Sequence, residues 1–255
     1  MTPDLTWAED FKSVRPTVFL GVPRIYERIV ARIRREADSR TFGRWLLETT
    51  ARIGWAHREA AKGRGPAPSL LQRLARPLLE RFVAGRVLST LGGRLRVVVS
   101  GGAPLDPDIA RFLAGLGLPI VEGYGLTEAA PVVTATTFED RLPGSVGRPL
   151  HGVQVRLGAD DELLVNTPSR MIGYWADAAA TNDALEDGWL RTGDCGAVVD
   201  GELVVTGRAK DIIIINGQNY YPHDIEEIVA RIDELDLGKV VVCGAKRPHG
   251  PVEEL

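Results

Sequence analysis

The chain of 255 residues has only two cysteines, Cys195 and Cys243, and they match no metal-binding or redox spacing. So few cysteines are typical of a protein in a reducing compartment and give no basis for a disulfide framework. The sequence also lacks any apolar run close to the roughly 20 residues that span a membrane. Its N-terminus lacks the charged and then apolar pattern of a signal peptide. We therefore expect a cytoplasmic protein without a transmembrane segment.

The sequence motifs of hydrolases are absent as well. There is no Ser-x-x-Lys or Gly-x-Ser-x-Gly motif, and His57, His151 and His249 have no carboxylate or nucleophile partner in the sequence. Hydrolase chemistry therefore has no support.

The net charge is only −3, which argues against nucleic acid as the main partner. The charge is uneven, because residues 1–96 carry 19 Lys/Arg and 9 Asp/Glu, a net +10, whereas residues 97–255 carry 12 and 25, a net −13. The basic half has two interpretations. It forms either the solvated faces of arginine-rich helices or a surface for anionic lipid or an acidic carrier protein.

A strand, a helix and a strand follow one another near the middle of the chain. The apolar run Leu95–Val99 predicts a buried strand, and Leu118–Val121 predicts the next one. Between them, Asp106 is suited to cap a helix that Pro107 begins. Such a βαβ unit places the carboxyl ends of two parallel strands at one edge of a sheet, where ligands bind in open α/β folds.

Glycine-rich turns are predicted after both strands, so main chain there is open to a flat ligand. Tyr124 offers an aromatic face, Thr127 a hydroxyl for a phosphate oxygen, and Glu128 a carboxylate for a divalent cation such as Mg²⁺. Two glycines without a third are a weak signal. The alternative is a structural turn with an exposed tyrosine and a solvated glutamate.

Four motifs in order resemble the adenylate-forming ligases, the acyl-CoA synthetase superfamily. They are Ser-Gly-Gly-Ala-Pro-Leu at Ser100–Leu105 with Gly-Tyr-Gly-Leu-Thr-Glu at Gly123–Glu128, Gly-Tyr-Trp at Gly173–Trp175, Gly-Trp-Leu-Arg-Thr-Gly-Asp at Gly188–Asp194, and Gly-Arg-Ala-Lys-Asp at Gly207–Asp211. Val22–Glu27 further resembles the long-chain fatty acyl-CoA and fatty acyl-AMP branch. Asn216–Glu226 looks more like ligases that pass fatty acyl-adenylates to carrier proteins.

The resemblance implies ATP-dependent activation of a medium- or long-chain fatty carboxylate to acyl-AMP, with Mg²⁺, followed by transfer to CoA or to a carrier protein's phosphopantetheine. It implies catalytic roles for Thr127 and Glu128, with Glu128 as metal ligand, and a hinge at Lys210. The nucleotide-binding residues that it implies are Gly101, Gly102, Ala103, Pro104, Gly123, Tyr124, Gly125, Thr127, Asp194 and Arg208.

Asp194 has two interpretations from its own sequence context. A carboxylate can accept two hydrogen bonds from the vicinal hydroxyls of a ribose. It can also stabilise the turn beside Gly193. The resemblance favours the ribose role, and it places Arg208 at the ribose as well.

The expected fold is α/β: part of a doubly wound parallel sheet with flanking helices, an antiparallel β subdomain, and the start of a small α/β C-terminal domain. Residues 1–209 are expected to be the C-terminal half of the large AMP-binding domain, with 1–92 helical, 93–140 the nucleotide site and 141–209 the β subdomain. Residues 210–255 are expected to begin the small domain. Three helices are predicted in the first part of the chain. One begins at Pro23, the second spans Phe42–Lys62 and the third spans Ser69–Val83.

In the second half, Val198–Val205 predicts a hairpin around Asp200-Gly201. A second hairpin is predicted around Asn216-Gly217, a helix from Pro222 and a strand over Lys239–Cys243. In the first half, the resemblance places Trp45 or Trp55 beside an acyl tunnel.

Two parts of the family's machinery have no counterpart in the sequence: the Ser/Thr/Gly-rich phosphate loop with its lysine, and the distal lysine of the small domain. The expectation is therefore an incomplete and inactive fragment that is truncated at both ends and associates when alone. The alternative is a degenerate module that binds a nucleotide or a partner without catalysis. A dinucleotide oxidoreductase is disfavoured, because Glu128 stands where a third glycine is needed.

Overall fold

The computed structural model describes residues 7–118, 120–137, 144–215, 218–229, 232, 240–246 and 253–254. The chain divides into two units. One comprises Met1–Gly125 and Thr134–Arg148, and the other comprises Leu126–Val133 and Pro149–Leu255. The domain boundary expected near residue 210 stays a prediction.

The first unit combines helices with a five-stranded sheet in the order β1-β2-β3-β4-β5, and the unit boundary crosses β4 and β5. Its elements are α1 (Trp7–Val14), β1 (Val18–Gly21), α2 (Pro23–Asp38), α3 (Gly43–Ala61), α4 (Leu70–Leu79), α5 (Gly85–Thr90), β2 (Val97–Ser100), α6 (Pro107–Gly115), β3 (Ile120–Gly125), β4 (Val132–Ala135) and β5 (Arg148–Pro149).

Local sequence signals explain several helix boundaries. Pro23 occupies the first turn of α2, and the Asp106 side chain accepts a hydrogen bond from the Asp108 N–H at the start of α6. Ser69 caps α4 in a capping box with Gln72. These three helices therefore begin at the predicted positions.

Strands β1, β2 and β3 are parallel, with Leu20 opposite Val99 and Val99 opposite Val121. Alternate residues face opposite sides of the sheet. Phe19, Val98 and Ile120 belong to the core that α2, α3 and α6 help to form. On the other side, Val18 and Leu20 are 61% and 75% exposed. This sheet is thus well covered on one face and open at the β1 end of the other.

Strand β1 lies in the region that the sequence predicted as mainly helical, and sequence reasoning missed it. A run of four residues is too short to show the alternation that identifies a strand. The pairing with β2 stabilises it, from Val18 opposite Val97 to Gly21 opposite Ser100.

The third predicted helix continues beyond Val83 as α5. A π-helical segment over Glu80–Ala84 joins α4 to α5, and the Gly85 N–H donates to the Glu80 carbonyl. Helix α4 buries none of its residues. Leu70, Leu74 and Leu78 are 73%, 67% and 61% exposed and share one face, because they are spaced four residues apart.

The second unit contains an antiparallel sheet in the order β10-β9-β7-β6, with β8 paired to β9. Its elements are β6 (Gln154–Leu157), β7 (Glu162–Asn166), α7 (Ala178–Ala184), β8 (Leu185–Glu186), β9 (Trp189–Val199), β10 (Glu202–Arg208), β11 (Ile213–Ile215), β12 (Gln218–Tyr220), α8 (Pro222–Val229), β13 (Ala245–Lys246) and β14 (Glu253–Glu254).

The hairpin predicted around Asp200-Gly201 is present as β9 and β10. Asp200 and Gly201 have φ angles of 51° and 78°. Two consecutive positive φ angles are typical of a type I′ turn, which suits the twist of paired strands. The prediction from this dipeptide is confirmed.

Other boundaries differ from the sequence expectation. Strand β3 includes Gly123, Tyr124 and Gly125, which were expected in the loop after it. Residues 240–244 form no strand, so the strand predicted over Lys239–Cys243 is wrong there, and Lys239 lies outside the described residues. Asn216 and Gly217 also lie outside them. Among the helices that the structure describes, none is long and apolar enough to cross a membrane.

Candidate functional site

The first unit brings the two glycine motifs together at the carboxyl ends of its parallel strands. Ser100 lies opposite Gly21 of β1 and opposite Glu122 of β3. Gly101 follows directly, and its N–H donates to the Gly21 carbonyl at 3.3 Å. A Cβ on Gly101 would lie 3.5 Å from the Gly123 carbonyl oxygen. The predicted proximity of the two motifs is therefore confirmed within this unit.

The side chains around this edge differ in exposure. Ser100 is 1% exposed, and its Oγ has no hydrogen-bond partner among the described residues. Gly102, Ala103 and Pro104 are exposed, and Tyr124 is half-buried. An open backbone beside an aromatic side chain is compatible with a flat heterocycle. The nucleotide-binding role of Gly102, Ala103, Pro104 and Tyr124 stays a prediction.

Thr127 and Glu128 belong to the second unit and lie in the 3₁₀ turn Thr127–Ala129. The loop that carries the Gly-Tyr-Trp motif binds this turn. The Met171 N–H donates to the Glu128 carbonyl at 2.7 Å, and the Ser169 hydroxyl donates to the Ala129 carbonyl at 2.8 Å. The turn is thus fixed by backbone contacts from a segment about 40 residues later in the chain.

Tyr174 binds the Glu128 side chain itself. Its hydroxyl donates to Glu128 Oε1 at 2.9 Å. Sequence reasoning used Tyr174 as a family motif but assigned it no role. The motif was the only signal for it, because a contact between two loops has no periodicity in the sequence.

Asp194 and Arg208 lie opposite each other on β9 and β10, with Arg208 Nε 3.2 Å from Asp194 Oδ1. Asp194 is 8% exposed, whereas the Arg208 side chain is 60% exposed. A buried carboxylate beside an exposed guanidinium forms a small polar site that can accept hydroxyl donors. The sequence predicted both residues for the same ribose, and the structure places them together.

This pairing depends on a β-bulge. Val205 lies opposite Gly196, but Gly207 lies opposite Cys195, so Thr206 is the extra residue on β10. The Asp194 backbone is held as well, because its N–H donates to the Thr192 hydroxyl at 3.1 Å and that hydroxyl donates to the Leu163 carbonyl at 2.8 Å.

Glu162 is a further positioning residue that sequence reasoning missed. Its Oε1 accepts a hydrogen bond from the Gly193 N–H at 3.1 Å, and its Oε2 accepts one from Arg191 Nη2 at 2.9 Å. Both partners belong to the Arg-Thr-Gly-Asp motif, so Glu162 fixes the segment that ends at Asp194. Lys210 is exposed in a 3₁₀ turn, Ala209–Asp211, and its hinge role stays a prediction.

The two tryptophans considered for an acyl tunnel have different surroundings. Trp45 is 64% exposed and lines a groove of about 280 Å³ together with Phe42 and Phe82. Trp55 packs against the hydrophobic core of the first unit. Of the two, Trp45 is the one on an open apolar surface.

Glu128 offers a single carboxylate to Mg²⁺. Within the described part of the chain, no group of three or more His, Cys, Asp or Glu side chains could hold a metal ion. Mg²⁺ at phosphate-transfer sites is usually bound by one or two carboxylates together with substrate phosphates and water. Glu128 is half-buried with one oxygen bound to Tyr174, so it can supply one such ligand.

Comparison with known proteins identifies the family. The AMP-binding enzyme family matches residues 1–175. The chain belongs to the AMP-binding enzymes. The resemblance read from the ordered motifs is thereby confirmed.

Curated relatives of this AMP-binding chain include a long-chain-fatty-acid–CoA ligase of Mycobacterium bovis, which is 38% identical over 237 residues. The alignment covers 92% of this chain but only 38% of that relative, so the chain spans well under half of its length.

Solved structures confirm the α/β fold of the AMP-binding chain. The amide bond synthetase McbA from Marinactinospora thermotolerans aligns with a TM-score of 0.61 and 27% identity, over 96% of this chain and 42% of that one. An ATP-bound RpMatB-BxBclM chimera aligns with a TM-score of 0.61 and 26% identity, over 93% and 40%.

Proposed function

We propose that this chain is part of a ligase that uses ATP to activate a medium- or long-chain fatty acid and then transfers the acyl group to a thiol. The observation that carries the proposal is the buried Asp194 carboxylate paired with Arg208 on the β9–β10 hairpin. The names of the Mycobacterium bovis relative and of the ATP-bound chimera support the substrate class and the nucleotide.

The proposed reaction has two steps. A fatty carboxylate oxygen attacks the α-phosphorus of ATP, which forms acyl-AMP and releases pyrophosphate. A thiol then attacks the acyl carbonyl carbon, the thioester forms, and AMP leaves. The acceptor is CoA or the phosphopantetheine of an acyl carrier protein. Mg²⁺ bound at Glu128 would offset negative charge on the phosphates.

Residues of this chain would mainly bind and orient the nucleotide. Asp194 would accept hydrogen bonds from the ribose hydroxyls, and Arg208 would orient that carboxylate. The backbone at Gly101–Pro104 and the Tyr124 ring would hold the adenine, while Thr127 would donate its hydroxyl to a phosphate oxygen. Orientation of this kind accounts for much of the rate enhancement in two-substrate reactions.

We expect the 255-residue chain to bind AMP and ATP without forming acyl-AMP, because its sequence lacks the family's phosphate loop and distal lysine. Calorimetry should detect nucleotide binding, and an ATP–pyrophosphate exchange assay with a fatty acid should detect no turnover. Exchange by the isolated chain would refute the assignment as an incomplete ligase. If adding the missing segments in trans restores exchange, the chain is an incomplete ligase. If it does not, the chain is a degenerate binding module.

We also propose that the protein is cytoplasmic and contacts anionic membranes through an apolar face that α4 shares with the π-helical segment after it, defined by Leu70, Leu74, Leu78 and Phe82. These side chains are 61–73% exposed, and residues 69–90 carry four arginines against one glutamate. An apolar helix face with adjacent arginines matches the pattern of interfacial helices.

In co-sedimentation, vesicles with phosphatidylserine should bind the chain. Leu74→Glu should reduce the bound fraction about tenfold or more, because it puts a charge in place of apolar area that the membrane contact would bury. Val132→Glu, at a residue 43% exposed in β4, is the matched control. Equal binding by both variants, or by neutral vesicles, would contradict this contact.

A further inference from the structure

We propose that Tyr174 is a positioning residue that orients the Glu128 carboxylate for the divalent cation of the bound nucleotide; this inference rests on the proposed function. The Tyr174 hydroxyl occupies Glu128 Oε1 at 2.9 Å. A carboxylate has two oxygens, so Oε2 stays available to a cation while Oε1 is fixed. The 3₁₀ turn alone does not determine how the Glu128 carboxylate is oriented. The Tyr174 phenol would select one of its orientations.

The backbone around Glu128 is restrained separately from its side chain. The Met171 N–H binds the Glu128 carbonyl, and the Ser169 hydroxyl binds the Ala129 carbonyl. These bonds fix where the turn lies but do not involve the carboxylate. Among the hydrogen bonds described above, the one from Tyr174 alone restrains the carboxylate itself.

Tyr174 is in turn fixed at its own backbone. Its N–H donates to Thr181 Oγ1 at 2.9 Å, and the same hydroxyl donates to the Asp177 carbonyl at 2.7 Å. Gly173 allows this close approach, because a Cβ there would lie 2.9 Å from Thr181 Cγ2. Asp177 also caps α7 through the Ala180 N–H. The phenol therefore reaches Glu128 from a segment anchored to a helix start.

Electrostatics support the direction of the hydrogen bond. The pKa of Tyr174 is raised above its usual value, first because its hydroxyl donates to Glu128, then because of burial and the nearby carboxylate charge. A hydroxyl that donates to a carboxylate holds its proton more tightly, as this direction of the hydrogen bond requires.

The alternative is a purely structural role, in which Tyr174 only fixes the loop to the turn. The two roles differ in what the loss of the hydroxyl changes. A structural role alters folding or nucleotide affinity in general. A positioning role alters only the part of nucleotide affinity that depends on the cation.

The test is calorimetric titration of the 255-residue chain with ATP, once with EDTA and once with excess MgCl₂, for wild type, Tyr174→Phe, Glu128→Gln and the double variant. The dissociation constant with EDTA divided by that with MgCl₂, the Mg²⁺ ratio, reports the cation's contribution. We expect Tyr174→Phe to leave the dissociation constant with EDTA unchanged and to lower the Mg²⁺ ratio about tenfold, as for loss of one hydrogen bond to a charged group. We expect the double variant to match Glu128→Gln.

Tyr220→Phe is the matched control. Its hydroxyl also donates to a side chain, Gln218 Oε1 at 3.0 Å, but both residues lie on β12, so its Mg²⁺ ratio should equal that of wild type. An unchanged ratio in Tyr174→Phe, or additive losses in the double variant, would overturn the positioning role while wild-type binding still supports the proposed function. Absence of nucleotide binding by wild type would overturn both.

Discussion

Replacing Asp194 with Asn is expected to weaken AMP binding about 100-fold, because each of two hydrogen bonds loses the roughly 1–1.5 kcal/mol by which a charged acceptor exceeds a neutral one. The buried carboxylate accepts a hydrogen bond from the Arg208 side chain. An amide of the same shape keeps the packing but loses the charge that strengthens bonds from ribose hydroxyls. Calorimetric titration with AMP measures the change directly.

A ligand series makes this prediction specific to the ribose. Wild type should prefer AMP over 2′,3′-dideoxy-AMP strongly, whereas Asp194→Asn should bind both with similar affinity. Asp183→Asn, an exposed position on α7, should behave as wild type. If Asp194→Asn still discriminates between the two nucleotides, the carboxylate does not hold the ribose, and the turn-stabilising interpretation is correct.

The second large effect concerns the open sheet face at β1. We expect the isolated chain to self-associate and Leu20→Lys to raise the dissociation constant of that association at least tenfold. Burial of a leucine is worth about 1.5–3 kcal/mol, and lysine on an edge strand opposes pairing with another chain. Leu20 is 75% exposed, and among the described residues β1 pairs only with β2.

Sedimentation velocity over a range of concentrations measures the association. Val14→Lys is the control, because Val14 is 73% exposed but belongs to α1 and not to a strand of the sheet. An equal effect of both variants would point to general solubility instead of the sheet face. A wild-type chain that stays monomeric at all concentrations would contradict the expected association.

The features that the sequence predicted correctly are those set by neighbouring residues. Asp106 with Pro107 begins α6, and Asp200 with Gly201 forms the hairpin turn, because capping and turn chemistry depend on only a few positions. The ordered motifs predicted the family for a similar reason, since each is a short local pattern.

The features that the sequence did not predict depend on pairing across distance. Strand β1 is defined by its alignment with β2, about 80 residues later. The contact between Tyr174 and Glu128 joins residues 46 positions apart. The π-helical segment after Pro77 also escaped prediction, because it preserves the helical pattern while altering the hydrogen bonds.

The single extra residue in β10 determines which side chain Asp194 meets. In an uninterrupted ladder, Gly207 would stand across from Asp194, and a glycine has no side chain to offer a carboxylate. Because Thr206 is bulged out of the ladder, Arg208 takes that place. The same sequence paired without the bulge would leave Asp194 without its cation even though every residue of the recognised motifs remained, so a feature outside the motifs sets the chemistry that they carry.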